Sequence, residues 1–128
     1  MKWILKISIT LLLLVISLSS CLEEDLLEAK YAGAWKIDHY YLEGNDQTMS
    51  YLQSHADYLL HVGQLQVFQE NWLQADGMHQ VNGSWRISEN RKNLVLNDAW
   101  NGERVYELKY YNTLEMKRGK EEWILRKF

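Results

Sequence analysis

Few side chains in this sequence could do chemistry, and they are scattered. The only thiol is Cys21, and the four imidazoles, His39, His55, His61 and His79, show no spacing that sets two on one face of a helix or strand. Serine nucleophiles of the strained-turn type need Gly-x-Ser-x-Gly, and phosphate loops need clustered glycines. Neither pattern occurs, because the seven glycines stand singly at expected element boundaries. Asp38 next to His39 resembles a base with its orienter only by residue type, since neighbours on a strand project to opposite faces. One cysteine forbids an internal disulfide, and no Cys/His zinc spacing is present. No enzymatic activity, no cofactor and no metal site are therefore expected.

Aromatic rings are what remain. Beyond residue 20 there are five tryptophans and eight tyrosines. Rings of this size either fill a core or line a pocket, and both uses stay open. If a pocket exists, His39, Tyr41, Tyr58 and Tyr106 are the candidate ligand-binding residues, apolar in body and polar at the tip. Trp72 and Trp100 fall in or beside expected loops. They are candidate contacts for a partner, sugar or lipid, with edge packing as the alternative.

The residues before this region read as an address. Lys2 and Lys6 are cationic, Ile7 to Leu18 form an apolar run, and small Ser19-Ser20 precede Cys21. A run of that length suits a secretory signal, whereas a bilayer span needs about 20 residues. Leu18-Ser19-Ser20-Cys21 resembles the lipobox of bacterial lipoproteins. That resemblance implies a signal peptide over residues 1–20, cleavage before Cys21, and acyl chains on its sulfur and new amino group. Leu22 stands where an inner-membrane retention signal often places Asp, which favours the outer membrane, on its periplasmic side or at the cell surface. Glu23-Glu24-Asp25 resembles acidic surface-export signals, and equally suits the positive end of a helix dipole.

The elements that must position the aromatic residues follow from periodicity. Glu24 to Tyr31 has helical spacing, and Gly33 ends it. From Ala34 to Leu42 the period becomes two, with Trp35, Ile37, His39 and Tyr41 expected on one face. Further strands are expected at 58–62, 65–75, 78–88, 94–97, 103–111, 113–118 and 121–127, with a polar connection and one helical turn between 47 and 56. Asp76-Gly77 is a hairpin signal, and Asn82-Gly83 is its rival. Asn82-Gly83-Ser84 also matches a glycosylation sequon, which turn chemistry explains better. Trp35, Trp85, Tyr106, Tyr110 and Trp123 are expected to point inward. Eight strands with short connections and one apolar face bury that face by closing on themselves. The expected fold is thus all-β, a small eight-stranded antiparallel up-and-down barrel behind a short N-terminal helix, with a two-layer sandwich as the alternative.

Gly33-Ala34-Trp35 on the first strand resembles the Gly-x-Trp signature of the lipocalins. Gly83-Ser84-Trp85-Arg86-Ile87-Ser88, leading to Leu94-Val95-Leu96, is similar to bacterial lipocalin-like lipoproteins. The resemblance covers residues 31–127. It implies that Trp35 packs at the closed end of the barrel beneath a basic side chain of the last strand, with Arg126 as the match and Lys127 in reserve. The long lid loop and disulfide of larger lipocalins are missing. The organisation implied is a signal peptide over 1–20, a lipidated tether and helix over 21–32, and a lipocalin-like barrel over 33–128.

Charge narrows the partners. Once Lys2 and Lys6 leave with the signal, twelve basic residues face 17 acidic ones, a net charge of −5. Nucleic acid, which needs a basic surface, is not an expected partner. Two functions remain. One is an outer-membrane-anchored carrier of a small hydrophobic or amphipathic ligand. The other is an envelope protein-interaction module, acting as a hydrolase inhibitor, an immunity protein or an accessory of an envelope assembly. Replacing Cys21 by Ser is expected to release the protein from membranes, and unchanged membrane fractionation would refute the anchor.

Overall fold

From residue 33 onward, alternation of apolar and polar residues gives nine strands among the described residues, with one short helix between the second and third. The structure, a computed structural model, describes Lys6, Ser8, residues 26–110 and residues 112–128. Residues 1–20, Cys21 and Glu23-Glu24-Asp25 carry the signal, lipidation and export readings, and apart from Lys6 and Ser8 they lie outside the described residues, as does Tyr111. The chain divides into two compact units, Met1–Lys30 and Tyr31–Phe128. In the first, residues 26–30 are helical. Among the described residues no helix is long and apolar enough to cross a membrane.

The second unit is an eight-stranded antiparallel barrel with a short extra strand. Its elements are β1 (Gly33–Leu42), β2 (Asn45–Asp46), α1 (Thr48–Ser54), β3 (Ala56–Val62), β4 (Val67–Gln74), β5 (Gly77–Ile87), β6 (Asn93–Asp98), β7 (Gly102–Tyr110), β8 (Thr113–Arg118) and β9 (Glu121–Lys127). Strands β3 to β9 pair in sequence order, and β1 closes the cylinder between β9 and β3. The two seams at β1 are unequal. Toward β9 the register runs from Trp35↔Lys127 to Leu42↔Glu121, while toward β3 it covers only Gly33↔Val62 to Trp35↔Leu60. Two-residue turns close the hairpins where the chemistry allows them. Glu43 and Gly44 both have positive φ (52° and 80°) between Leu42 and Asn45, the backbone that matches strand twist.

Closure makes one end solid. Trp35, Leu94, Leu96 and Leu114 are fully buried, with Val62, Phe68, Leu125 and Trp85 nearly so. Both indoles that the alternation points inward here find an acceptor. Trp35 Nε1 donates to the Tyr31 carbonyl at 2.9 Å and Trp85 Nε1 to the Gly63 carbonyl at 2.8 Å. Beside Trp35 the basic side chain is Lys127, with Nζ 5.7 Å from the ring centroid. Parity excludes Arg126. Lys127 is the cross-strand partner of Trp35, whereas Arg126 lies opposite exposed Lys36, so it projects outward and bonds Asp38 Oδ2 at 3.0 Å.

Three other expectations are corrected by local backbone. A bulge between Ile37 and His39 inserts Asp38 into β1, so Trp35, Ile37 and Tyr40 face inward while His39 and Tyr41 turn away. The same bulge brings His39 within 3.6 Å of Asp38 despite their adjacency. In β7 a second irregularity, between Leu108 and Tyr110, leaves Tyr110 exposed. Leu65 and Gln66, both at φ 59°, delay β4 to Val67.

The hairpin turns where the Asp76-Gly77 signal lies, but one residue earlier than the expected pairing of 65–75 with 78–88: Gln74 pairs with Gly77, so Ala75 and Asp76 form the loop and Gly77 opens β5. Gly83 is no turn residue. It lies within β5 opposite Phe68, where an added Cβ would meet the Asn97 carbonyl oxygen and the Phe68 ring at 2.2 and 2.6 Å. Replacing Gly83 by Ala is expected to cost about 1–3 kcal/mol through overpacking. Chemical denaturation measures this, and an unchanged midpoint would contradict the close approach.

Candidate functional site

The opposite end of the barrel is hollow. A cavity of about 290 Å³ is lined by Tyr51 of α1, by His55 just after it, and from the strands by Tyr58, Glu70, Trp72, Arg104, Tyr106, Arg118 and Trp123, among others. Each strand contributes through its inward period. On β4, Phe68, Glu70 and Trp72 follow at steps of two, and on β7 Arg104 and Tyr106 do the same.

Helix α1 lies over this end because β1 holds its first turn. The Tyr40 backbone N–H donates to Thr48 Oγ1 at 3.0 Å, the Thr48 hydroxyl donates to Asp46 Oδ1 at 2.6 Å, and the Gln47 N–H donates to the Tyr40 carbonyl at 2.9 Å. Its side chains then join a continuous belt of rings. Trp123 meets Tyr40 at 5.5 Å between centroids, Tyr40 meets Tyr51 at 4.4 Å, and Tyr51 stacks on His55 at 4.1 Å. His55 leads to Trp72 at 5.5 Å, which stacks with Tyr58 at 6.4 Å and with His79 at 5.7 Å. Contacts of this geometry add to simple area burial. Burial lifts the Tyr51 phenol to about 12.

A buried ion network forms one wall. Arg104 forks onto Glu70, with Nη1 donating to Oε2 at 3.1 Å and Nη2 to Oε1, and Nη2 also reaches Asp98 Oδ2 at 3.1 Å. The Tyr58 hydroxyl donates to Glu70 Oε2. Burial raises the Tyr58 and Tyr106 phenols above their ordinary value, so both stay protonated. Burial opposes the charge on Arg104, but its bonds to Glu70 outweigh that and hold it firmly cationic. For Asp98, burial acts upward, yet donors from Asn101 and Trp100 leave its carboxyl below the ordinary range. Asp98 Oδ1 accepts the backbone N–H groups of Trp100 and Asn101, each at 2.8 Å, which fixes the turn between β6 and β7.

Among the described residues, two buried donors on residues of the cavity lining lack acceptors. Trp72 Nε1 and Arg104 Nε are buried and have no hydrogen-bond partner. The third such atom, the Tyr31 hydroxyl, belongs to a residue outside the lining. A second, more open hollow of about 610 Å³ follows the seam between β1 and β3, lined by Leu52, Ala56, Leu59 and Phe128 among others, and it shares Ile37 and Tyr58 with the cavity.

Of the residues singled out by sequence, Tyr58 and Tyr106 line the cavity. His39 and Tyr41 do not, since the β1 bulge turns them outward, where they stack on each other at 5.8 Å. Trp72 sits within β4 and faces the cavity, so it is not a loop or rim residue. Trp100 is 88 % exposed in the turn beside Asn101, a lining residue. Gly33 opens β1 at φ 129°. Glu70, Asp98 and Arg104 were missed, although an acid flanked at two-residue steps by Phe68 and Trp72 was a legible signal. Among the described residues, no three His, Cys, Asp or Glu side chains are grouped to hold a metal ion.

Comparison with known proteins agrees with the fold. A lipocalin-like protein from Bacteroides uniformis superposes with a TM-score of 0.58 at 15% identity, covering 77% of this chain and 99% of that one. An uncharacterized protein from Bacteroides eggerthii gives 0.54 at 12% identity, covering 76% and 98%. No protein-family model matches the chain, and no curated protein matches it significantly. At these identities the likeness is one of fold: the barrel is lipocalin-like.

Glu70→Leu would remove the forked partner of the buried Arg104, leaving it Asp98 alone, and is expected to cost about 3 kcal/mol. The double variant Glu70→Leu/Arg104→Met should recover most of that loss. Denaturant unfolding checks this, and a double variant no more stable than Glu70→Leu would contradict the cost assigned to the unpaired Arg104 charge.

Proposed function

We propose that this protein is an outer-membrane lipoprotein, anchored through Cys21, whose barrel binds a small amphipathic molecule in the cavity beneath α1. One observation carries the reading: closure leaves about 290 Å³ empty at one end, walled by aromatic rings and an ion network, while the other end is packed solid. Empty volume forfeits packing energy, so a hollow confined to one end of so small a barrel argues for an occupant. A volume of about 290 Å³ is room for a small molecule only. The protein binds this molecule and does not transform it. Both carboxylate oxygens of Glu70 already accept hydrogen bonds, so Glu70 is not free to act as a base.

A second reading rests on Trp100. An indole 88 % exposed on a turn fixed by Asp98 suits a contact for an envelope protein. Native mass spectrometry of the protein isolated gently from its own envelope separates the two. The carrier reading expects a one-to-one small-molecule adduct, lost when Met116→Trp fills the cavity of a variant that still folds. A co-isolated protein lost with Trp100→Ala, and no small adduct, would favour the interaction module instead.

A further inference from the structure

The ligand's shape can be narrowed from the seam where the barrel is left unpaired. This step rests on the carrier reading and extends it. Between β1 and β3 the ladder ends at Trp35↔Leu60, and the next tie along this edge of β1 is at Tyr40, through its bonds to Gln47 and Thr48. Among the described residues, those of β1 between these two ties have no backbone pairing to β3. They face it across a slot closed at both ends. Lys36 and Leu59, on the outward period of their strands, line the hollow of about 610 Å³, which therefore lies outside this slot. The cavity of about 290 Å³ lies inside it. Ile37 from β1 and Tyr58 from β3 line both spaces, so side chains rather than a hydrogen-bonded wall separate them.

These two side chains are held unequally. Tyr58 is buried, donates its hydroxyl to Glu70 Oε2 and stacks on Trp72. Ile37 has no polar group to tether it, and it stays half-buried while Trp35 and Tyr40 of the same strand are buried. Ile37 is thus the side chain free to turn aside. The spaces also differ in chemistry. Rings and ions wall the cavity, and the rings of Tyr51, Tyr106 and Trp123 there favour a ring-bearing group. The outer hollow is lined by Ile37, Leu52, Ala56, Leu59 and Phe128, with Lys36 and Asp57 exposed. Phe128 remains 70 % exposed, its ring meeting Lys36 Nζ at 4.1 Å. Apolar surface left open to water is unfavourable, and its clustering marks a binding groove. Because this groove continues the cavity, one ligand can cover it and fill the cavity together. An alkyl chain threads such a slot by displacing one side chain, whereas a second ring would have to part the strands.

We propose that the ligand is a ring-headed amphiphile with a single alkyl chain, its head in the cavity and its chain passing between Ile37 and Tyr58 to lie along Leu52, Leu59 and Phe128. Three probes, 4-methylphenol, 4-butylphenol and 4-octylphenol, share one head and differ only in the chain. Their affinities are measured by calorimetry. Each methylene that reaches the groove is expected to tighten binding about twofold to fourfold, the upper figure being full burial. The double variant Leu52→Ser/Phe128→Ser alters the groove and leaves the cavity lining intact. It should weaken 4-octylphenol about tenfold and leave 4-methylphenol unchanged. Should that variant not fold, nuclear Overhauser contacts in the ¹³C-labelled parent protein still decide. The terminal methyl of the octyl chain should meet the methyl groups of Leu52 and Leu59. Contacts from it to Trp100 would instead send the chain out past the turn between β6 and β7 and overturn the seam. Equal affinities for the three phenols, or a 4-octylphenol affinity that the double variant does not change, would also overturn it while the cavity still binds. Failure of all three to bind would overturn it too, and the native adduct then decides whether the carrier reading falls as well.

Discussion

Pairing of the first and last strands is the constraint on which the rest depends. Until β1 meets β9, the meander is an open sheet with one apolar face and two unpaired edges, a form prone to aggregation. Closure from Trp35↔Lys127 to Leu42↔Glu121 buries that face against itself and fixes the diameter. Eight strands leave an interior that side chains can just fill. Whether a given level is solid or hollow is then a matter of side-chain size and charge. At the Trp35 level aliphatic and aromatic groups meet across the axis. At the Glu70 level an ion pair hugs one wall, and volume remains.

That ion pair has a role other than adding stability. A buried arginine with two carboxylates recovers its desolvation only when geometry is favourable, and an apolar replacement is often no worse. Its structural effect here is placement. Glu70 is held by Arg104 and Tyr58, and Asp98 binds Arg104 with one oxygen and the Trp100–Asn101 backbone with the other. Wall and mouth turn are thus set by one contiguous network, which keeps long polar side chains from collapsing into the empty volume.

Much of the fold was legible because strand period and turn chemistry are local signals. Antiparallel order, closure, the Asp76-Gly77 hairpin and the helical turn before β3 all follow from residues close in sequence. The misplaced rings of β1 and β7 share one origin, in that bulges change parity without any sequence mark. One inserted residue at Asp38 exchanged His39 and Tyr41 for Tyr40 on the inner face, and register chose Lys127 over Arg126 beside Trp35. Gly83 shows the converse problem. A glycine next to asparagine looks like a turn, yet the reason for it is the Phe68 ring and a β6 carbonyl lying against its Cα, groups far off in sequence. Glu70 and Arg104 escaped notice because each is an ordinary surface residue by type. Only their shared parity with Phe68, Trp72 and Tyr106 marks them as interior.

The unequal seams around β1 carry a mechanical meaning. On its β9 side the strand is zipped along nearly its whole length. On its β3 side the ladder stops after Trp35, and below that point the wall is finished by α1, a seven-residue helix with no buried residue of its own. Parting the cylinder anywhere else breaks a run of backbone hydrogen bonds, whereas lifting α1 mainly unstacks Tyr51 and His55 and frees Thr48 from β1. The molecule is therefore less a sealed drum than a cuff with one clasp, and the helix rather than the rim is its natural doorway.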